Sequence, residues 1–176
     1  KRVKHINKYF LLQDMIAEYK IYKAYFESNA PKLYYNEIKR HTNLSHSSLQ
    51  NSLSKLIKNN ILKEEKTISN KYYIINNKKL VSLKFSEIAI QKFNNLNIGV
   101  KNPLRNFLNN IPKEIYTIVI FGSASIKEEK KGSDIDILIV SDKKIDLKIH
   151  KKEAEIISKY HISIFQSTIK QFIENK

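Results

Sequence analysis

The chain has 176 residues, 41% of them hydrophobic and 10% aromatic, and its 32 Lys+Arg against 17 Asp+Glu give a formal charge of +15. Such a composition fills packed cores and excludes wholesale disorder, and the absence of cysteine removes disulfides, Cys-type zinc sites and thiol chemistry. The longest apolar stretch, Ile115 to Phe121, is far shorter than the ~20 residues that a membrane span needs, and no secretory signal is visible; an intracellular, cytoplasmic protein without membrane association is expected.

Lysine outnumbers arginine 29 to 3, so codon bias contributes to the charge, and its position is more informative than its sum. Residues 1–100 carry 18 basic and 7 acidic groups, residues 101–176 carry 14 and 10. The N-terminal part is the better candidate for a polyanion surface, because Lys and Arg contacts to phosphate release counterions; a solvated basic face without a partner is the alternative.

In chain order, Ile16, Tyr19, Ile21, Tyr22 and Tyr25 recur at helical spacing until Pro31 breaks the run. A second helix fits Tyr34 to Arg40. A third, capped by Ser45, places Leu49, Leu53, Leu56 and Ile57 on one face, and Asn60 ends it in a left-handed conformation. Ile61 to Lys66 and Lys71 to Asn76 read as two short strands around a polar tip, and Val81 to Phe93 as a further helix. Gly99 and Pro103 suggest a cut, giving domains at 1–99 and 100–176. Beyond it, a short helix at Leu104 to Asn110 precedes a buried strand at Ile115 to Phe121. A second strand fits Ile135 to Val140, an amphipathic helix Asp146 to Tyr160, a third strand Ile162 to Phe165, and a last helix Ile169 to Glu174. The expected class is α+β: a mostly helical first domain with a hairpin, then a small mixed α/β domain.

The order helix, turn at Thr42-Asn43-Leu44, helix, hairpin resembles the winged helix-turn-helix family of DNA-binding domains over about residues 13–76. If the third helix buries its leucines, it exposes Ser47, Ser48, Gln50, Asn51, Ser54, Lys55 and Lys58. Gln and Asn amides can bond adenine in the major groove, Ser can bond phosphate and Lys adds charge, with Lys63, Lys66 and Lys71 on the hairpin; double-stranded DNA is the expected partner. A helical dimerisation or protein-interaction module is the alternative. His41 and His46 are poorly spaced for a metal and read as surface or capping residues.

The most informative stretch is Ile118-Val119-Ile120-Phe121-Gly122-Ser123, followed by Ser133-Asp134-Ile135-Asp136. A glycine directly after a strand lets the backbone turn tightly and approach a ligand, and Ser123 adds a hydroxyl and N–H groups that can face a phosphate. Asp134 and Asp136, at i and i+2, send both carboxylates from one face, and two carboxylates beside a phosphate cradle suit Mg²⁺.

This arrangement resembles the signature of the minimal nucleotidyltransferases of the DNA polymerase beta superfamily, over about residues 115–176. The resemblance implies that Gly122, Ser123 and Ser133 bind the phosphates of a nucleoside triphosphate and that Asp134 and Asp136 are the catalytic ligands of Mg²⁺ or Mn²⁺. The implied reaction is attack of an acceptor hydroxyl on the α-phosphorus with release of pyrophosphate; Lys127, Lys130 and Lys131 either steer the triphosphate or are solvated charges. Two departures stand out. The third carboxylate of active members, on the next strand, falls at Ser163, and Asp142 and Asp146 are the nearest substitutes. Lys127 replaces a small residue, often glycine.

Two readings follow: a DNA-associated nucleotidyltransferase acting on a macromolecular hydroxyl, or a winged-helix transcription regulator or antitoxin that binds nucleotide without efficient catalysis. Relatives of the minimal class include antitoxins paired with small helical toxins, so a protein partner, or a homodimer, is compatible with the second.

Overall fold

The computed structural model describes residues 8–174, which divide into two compact units, the first ending at Gln91 and the second beginning at Lys92. In the first unit the order is α1 (Lys8–Ser28), β1 (Lys32–Tyr34), α2 (Tyr35–Thr42), α3 (His46–Lys58), β2 (Leu62–Lys66) and β3 (Lys71–Ile75), with α4 (Lys78–Asn94) running across the division. The strands form an antiparallel sheet in the order β1-β3-β2, with Leu33 opposite Tyr73 and Lys66 opposite Lys71 across the hairpin. Three-residue β1 is not expected from the sequence: α1 stops at Ser28, where Asn29 turns left-handed at φ 49° ahead of Pro31, and only pairing with β3 makes Lys32–Tyr34 a strand.

Local chemistry sets the helix ends. The Tyr34 N–H donates to Glu37 Oε2 (3.0 Å) at the start of α2, and Asn43, at φ 50°, ends it with its N–H on Lys39 O (2.9 Å). Ser45 caps α3 by accepting from the Ser48 N–H (3.3 Å), and Asn60, at φ 55°, takes the left-handed conformation expected after it. Leu49, Leu53 and Leu56 are buried with Ile21, Tyr25, Ile38, Tyr73 and Ile88 in one core, and the Tyr25 hydroxyl donates to Tyr73 O (2.9 Å), tying α1 to the sheet.

The second unit contains α5 (Ile98–Asn109), β4 (Ile115–Phe121), α6 (Gly122–Ser125), β5 (Ile135–Ser141), α7 (Lys148–Ile156), β6 (Ile162–Thr168) and α8 (Ile169–Glu174). Gly99 and Pro103 do not punctuate a linker; both lie inside α5, where Pro103 is buried and a Cβ at Gly99 would come within 3.2 Å of the Tyr160 ring. Close packing explains this glycine better than a chain break.

The sheet order is β4-β5-β6, antiparallel between β4 and β5 and parallel between β5 and β6, with α7 as the crossover that a parallel pair requires. Ile135, Ile137, Ile139 and Ile162 turn one face into a core shared with Val100, Leu104 and Phe107 of α5 and Ala154 of α7. The other face is more open. Strand β4, expected to be buried, is an edge strand whose Val119 and Phe121 are exposed, because its apolar residues alternate between a covered and an uncovered face. No helix among the described residues is long and apolar enough to cross a membrane.

Candidate functional site

Register builds the site. In β4, β5 and β6 the residues Phe121, Asp136 and Ser163 stand side by side, each a Cα partner of the next, so their side chains leave the same face. Asp134, two residues before Asp136, shares that face, and the Ser163 hydroxyl donates to Asp134 Oδ2 (2.9 Å). Gly122 follows β4 at φ 67° and opens the one-turn helix α6. A Cβ there would lie 2.5 Å from Asp136 Oδ2, so the chain touches the carboxylate at a distance that only glycine permits.

Asp136 is half-buried between its neighbours and Asp134 is exposed. Ser123 begins the turn half-buried, and its carbonyl accepts from the Glu128 N–H (2.9 Å), which folds the following loop back on the motif. Ser133 is engaged locally instead. Its hydroxyl accepts from the Lys130 N–H (2.9 Å) while its own N–H donates to Lys130 O (2.9 Å), closing a turn through Gly132 at φ 91°. Lys127 sits at φ 63°, a left-handed position that favours glycine, which gives the departure at Lys127 a backbone meaning.

Position 163, where a third carboxylate would stand, lies directly beside Asp136, and the residue there is serine. Asp142 leaves the opposite end of β5, about 20 Å from Asp136 at ~3.3 Å per residue, and accepts from the Tyr116 hydroxyl (2.8 Å). Asp146 accepts from the Lys148 N–H (3.0 Å) and borders a groove with Ile164 and Gln166, whose side chains leave the face of β6 opposite to Ser163. Among the described residues no group of three or more His, Cys, Asp or Glu side chains is arranged to hold a metal ion. Two adjacent carboxylates that share a face with a close backbone turn do fit a Mg²⁺ ion carried in with a nucleotide, since that ion takes one or two carboxylates and fills its shell with phosphate oxygens and water.

In the first unit, Ser47, Asn51, Ser54 and Lys58 are exposed on α3, while Ser48 and Gln50 are half-buried. Two expected phosphate contacts are already engaged: Lys55 Nζ lies 2.6 Å from Glu18 Oε1, and Lys71 Nζ 2.6 Å from Glu64 Oε2. The Glu64 pairing raises the pKa of the Lys71 ammonium, a cation committed to the hairpin itself. Lys66 is 3.6 Å from Glu64 as well. His46 accepts or donates with the Tyr35 hydroxyl (2.7 Å) and is a surface partner of that ring, as its spacing suggests.

Residues 102–175 match the family model described as the nucleotidyltransferase domain. The match covers nearly all of the second unit, supports a nucleotidyltransferase domain there, and implies a nucleotide substrate. No curated protein and no solved structure gave a match.

Proposed function

We propose that the protein is a nucleotidyltransferase that moves a nucleoside monophosphate from a Mg²⁺-bound nucleoside triphosphate to a macromolecular hydroxyl, with its first unit a winged helix-turn-helix on double-stranded DNA. The observation that carries the reading is the contact between Gly122 and Asp136, with Asp134 on the same face. Asp134 and Asp136 would hold the ion, Mg²⁺ or Mn²⁺, and Ser123 with the N–H groups of its turn would bind phosphate oxygens. The cation's contribution, when bound, is to offset negative charge on the phosphates. The acceptor oxygen forms a bond to the α-phosphorus, the bond to the bridging oxygen breaks, pyrophosphate leaves and the hydroxyl proton passes to water.

Support for the DNA reading is the order α2, turn, α3, hairpin, with an antiparallel sheet β1-β3-β2 and a polar outer face on α3. The exposed positions Ser47, Asn51 and Lys58 are the best placed for DNA contact, with Ser48 and Gln50 beside them; Lys55 and Lys71 contribute only if their ion pairs open.

A second reading is favoured by one observation: Ser163 donates its hydroxyl to Asp134 where a carboxylate would accept a proton. On that reading the protein is a DNA-binding regulator or antitoxin that binds nucleotide, or a toxin-like protein partner, without efficient transfer. Incubation with each α-³²P-labelled triphosphate, Mg²⁺ or Mn²⁺ and lysate distinguishes the two. Label on a macromolecule that vanishes in Asp134→Asn/Asp136→Asn establishes transfer. Nucleotide binding without label favours the regulator, whose DNA binding is then tested directly.

A further inference from the structure

The face that carries Asp134, Asp136 and Ser163 does not end at the carboxylates. Phe121 is the Cα partner of Asp136 on one side, and Phe165 lies two residues beyond Ser163 on the other, so both rings leave the same face as the acidic pair. They meet over the central strand at 5.4 Å between centroids, tilted by 57°, and they remain 37% and 52% exposed. Val119 and Leu138, partners in the same register, extend the apolar surface beneath them. An aromatic pair partly open to water, continuous with Val119 and Leu138 and beside two carboxylates and a glycine turn, is a surface that a flat apolar group of a ligand can cover.

Resting on the nucleotide reading above, we infer that Phe121 and Phe165 form the wall against which the nucleobase stacks. Ligand geometry supports this choice. Phe121 directly precedes Gly122 and is the Cα partner of Asp136, and Phe165 lies one strand repeat, ~7 Å, beyond Ser163, so both rings border the residues proposed to hold the phosphates. Nucleotides join a polyanionic tail to a flat aromatic head, matching a polar end at Gly122–Asp136 and an aromatic end at Phe121–Phe165. Phenylalanine offers no hydrogen bond to a base edge, so the wall holds any base and prefers the larger face of a purine.

The test is calorimetric titration of the full chain with Mg²⁺ and either α,β-methylene-ATP, which resists transfer, or tripolyphosphate, which has the tail without the base. Wild type is expected to bind the nucleotide about 5- to 150-fold more tightly than tripolyphosphate, the range that base–aromatic stacking supplies. Phe121→Ala and Phe165→Ala should each lose much of that advantage with tripolyphosphate binding unchanged, which also reports that the site is folded. Phe165→Trp should keep it. Nucleotide affinity that is unchanged in both alanine variants, or that falls together with tripolyphosphate affinity, overturns the wall. Tripolyphosphate binding that is absent, or indifferent to Asp134→Asn/Asp136→Asn, instead overturns the nucleotide site on which the wall depends.

Discussion

Gly122 makes the sharpest demand in the second unit, because its backbone conformation and its contact both exclude a side chain. Gly122→Ala combines a positive φ with a Cβ 2.5 Å from Asp136 Oδ2. It should destabilise the protein by about 1–3 kcal/mol in denaturant melts and weaken Mg²⁺-nucleotide binding. Lys127 presents the opposite case. At φ 63°, Lys127→Gly relieves a left-handed side chain, and its cost in unfolded-chain entropy offsets part of the gain. The expected change is between zero and about 1 kcal/mol of stabilisation. In the first unit, burial pushes the Tyr22 phenol up to about 12 and raises that of Tyr25 further. Below the ordinary value near 10 both phenols are neutral folded and unfolded, so their contribution is intact; as pH climbs past about 10 the unfolded chain ionises first and stability falls. Denaturant melts should therefore be insensitive to these groups from about pH 7 to 9.5 and lose stability from about pH 10 toward 12, with a smaller loss in Tyr25→Phe. At this scale much is legible in the sequence. Gly122, Asp134 and Asp136 stand out because a turn without Cβ and an i, i+2 carboxylate pair are local features. The turn-closing bond of Ser133 and the ion pairs of Lys55 and Lys71 are three-dimensional facts, and spacing alone assigns those side chains to ligands.

Elements are legible where periodicity is long and burial one-sided. Helix α3 is the clearest case: the spacing of Leu49, Leu53 and Leu56 matches its buried face, and Ser45 caps it as its residue type suggests. Leu53→Ala should cost about 2–5 kcal/mol, and Ser45→Ala about 1 kcal/mol, in equilibrium unfolding. Strand β1 is invisible in the sequence because three residues carry no period and depend on β3 for their hydrogen bonds. Strand β4 reads as buried because Ile115 to Phe121 is almost continuously apolar, yet continuity does not reveal whether both faces are covered. Its outward residues instead extend the carboxylate face. Gly99 and Pro103 mislead for a related reason. Glycine marks a break or a close contact equally well, and only the neighbouring Tyr160 ring decides between them.

At the scale of the whole molecule, the N-terminal part carries the larger basic excess and the C-terminal part the acidic pair, so the proposed ligand of each unit is tested separately. If the first unit binds DNA through α3, Gln50→Ala with Asn51→Ala should relax sequence preference. Lys58→Ala should weaken binding to all sequences and reduce the slope of log affinity against log salt by about one. Lys55→Ala should do less, since its charge is paired with Glu18. Replacing Ser163 tests the second unit's chemistry: Ser163→Asp supplies a carboxylate beside Asp136, and transfer should rise by about 10²-fold or more if a missing base limits it.

The most direct measurement is equilibrium binding of each nucleoside triphosphate to the full chain, with and without Mg²⁺, beside the Asp134→Asn/Asp136→Asn variant. Saturable binding that requires both the cation and the two carboxylates is the predicted result. Nucleotide binding that persists in the variant, or its absence from a folded wild-type protein, would contradict the account.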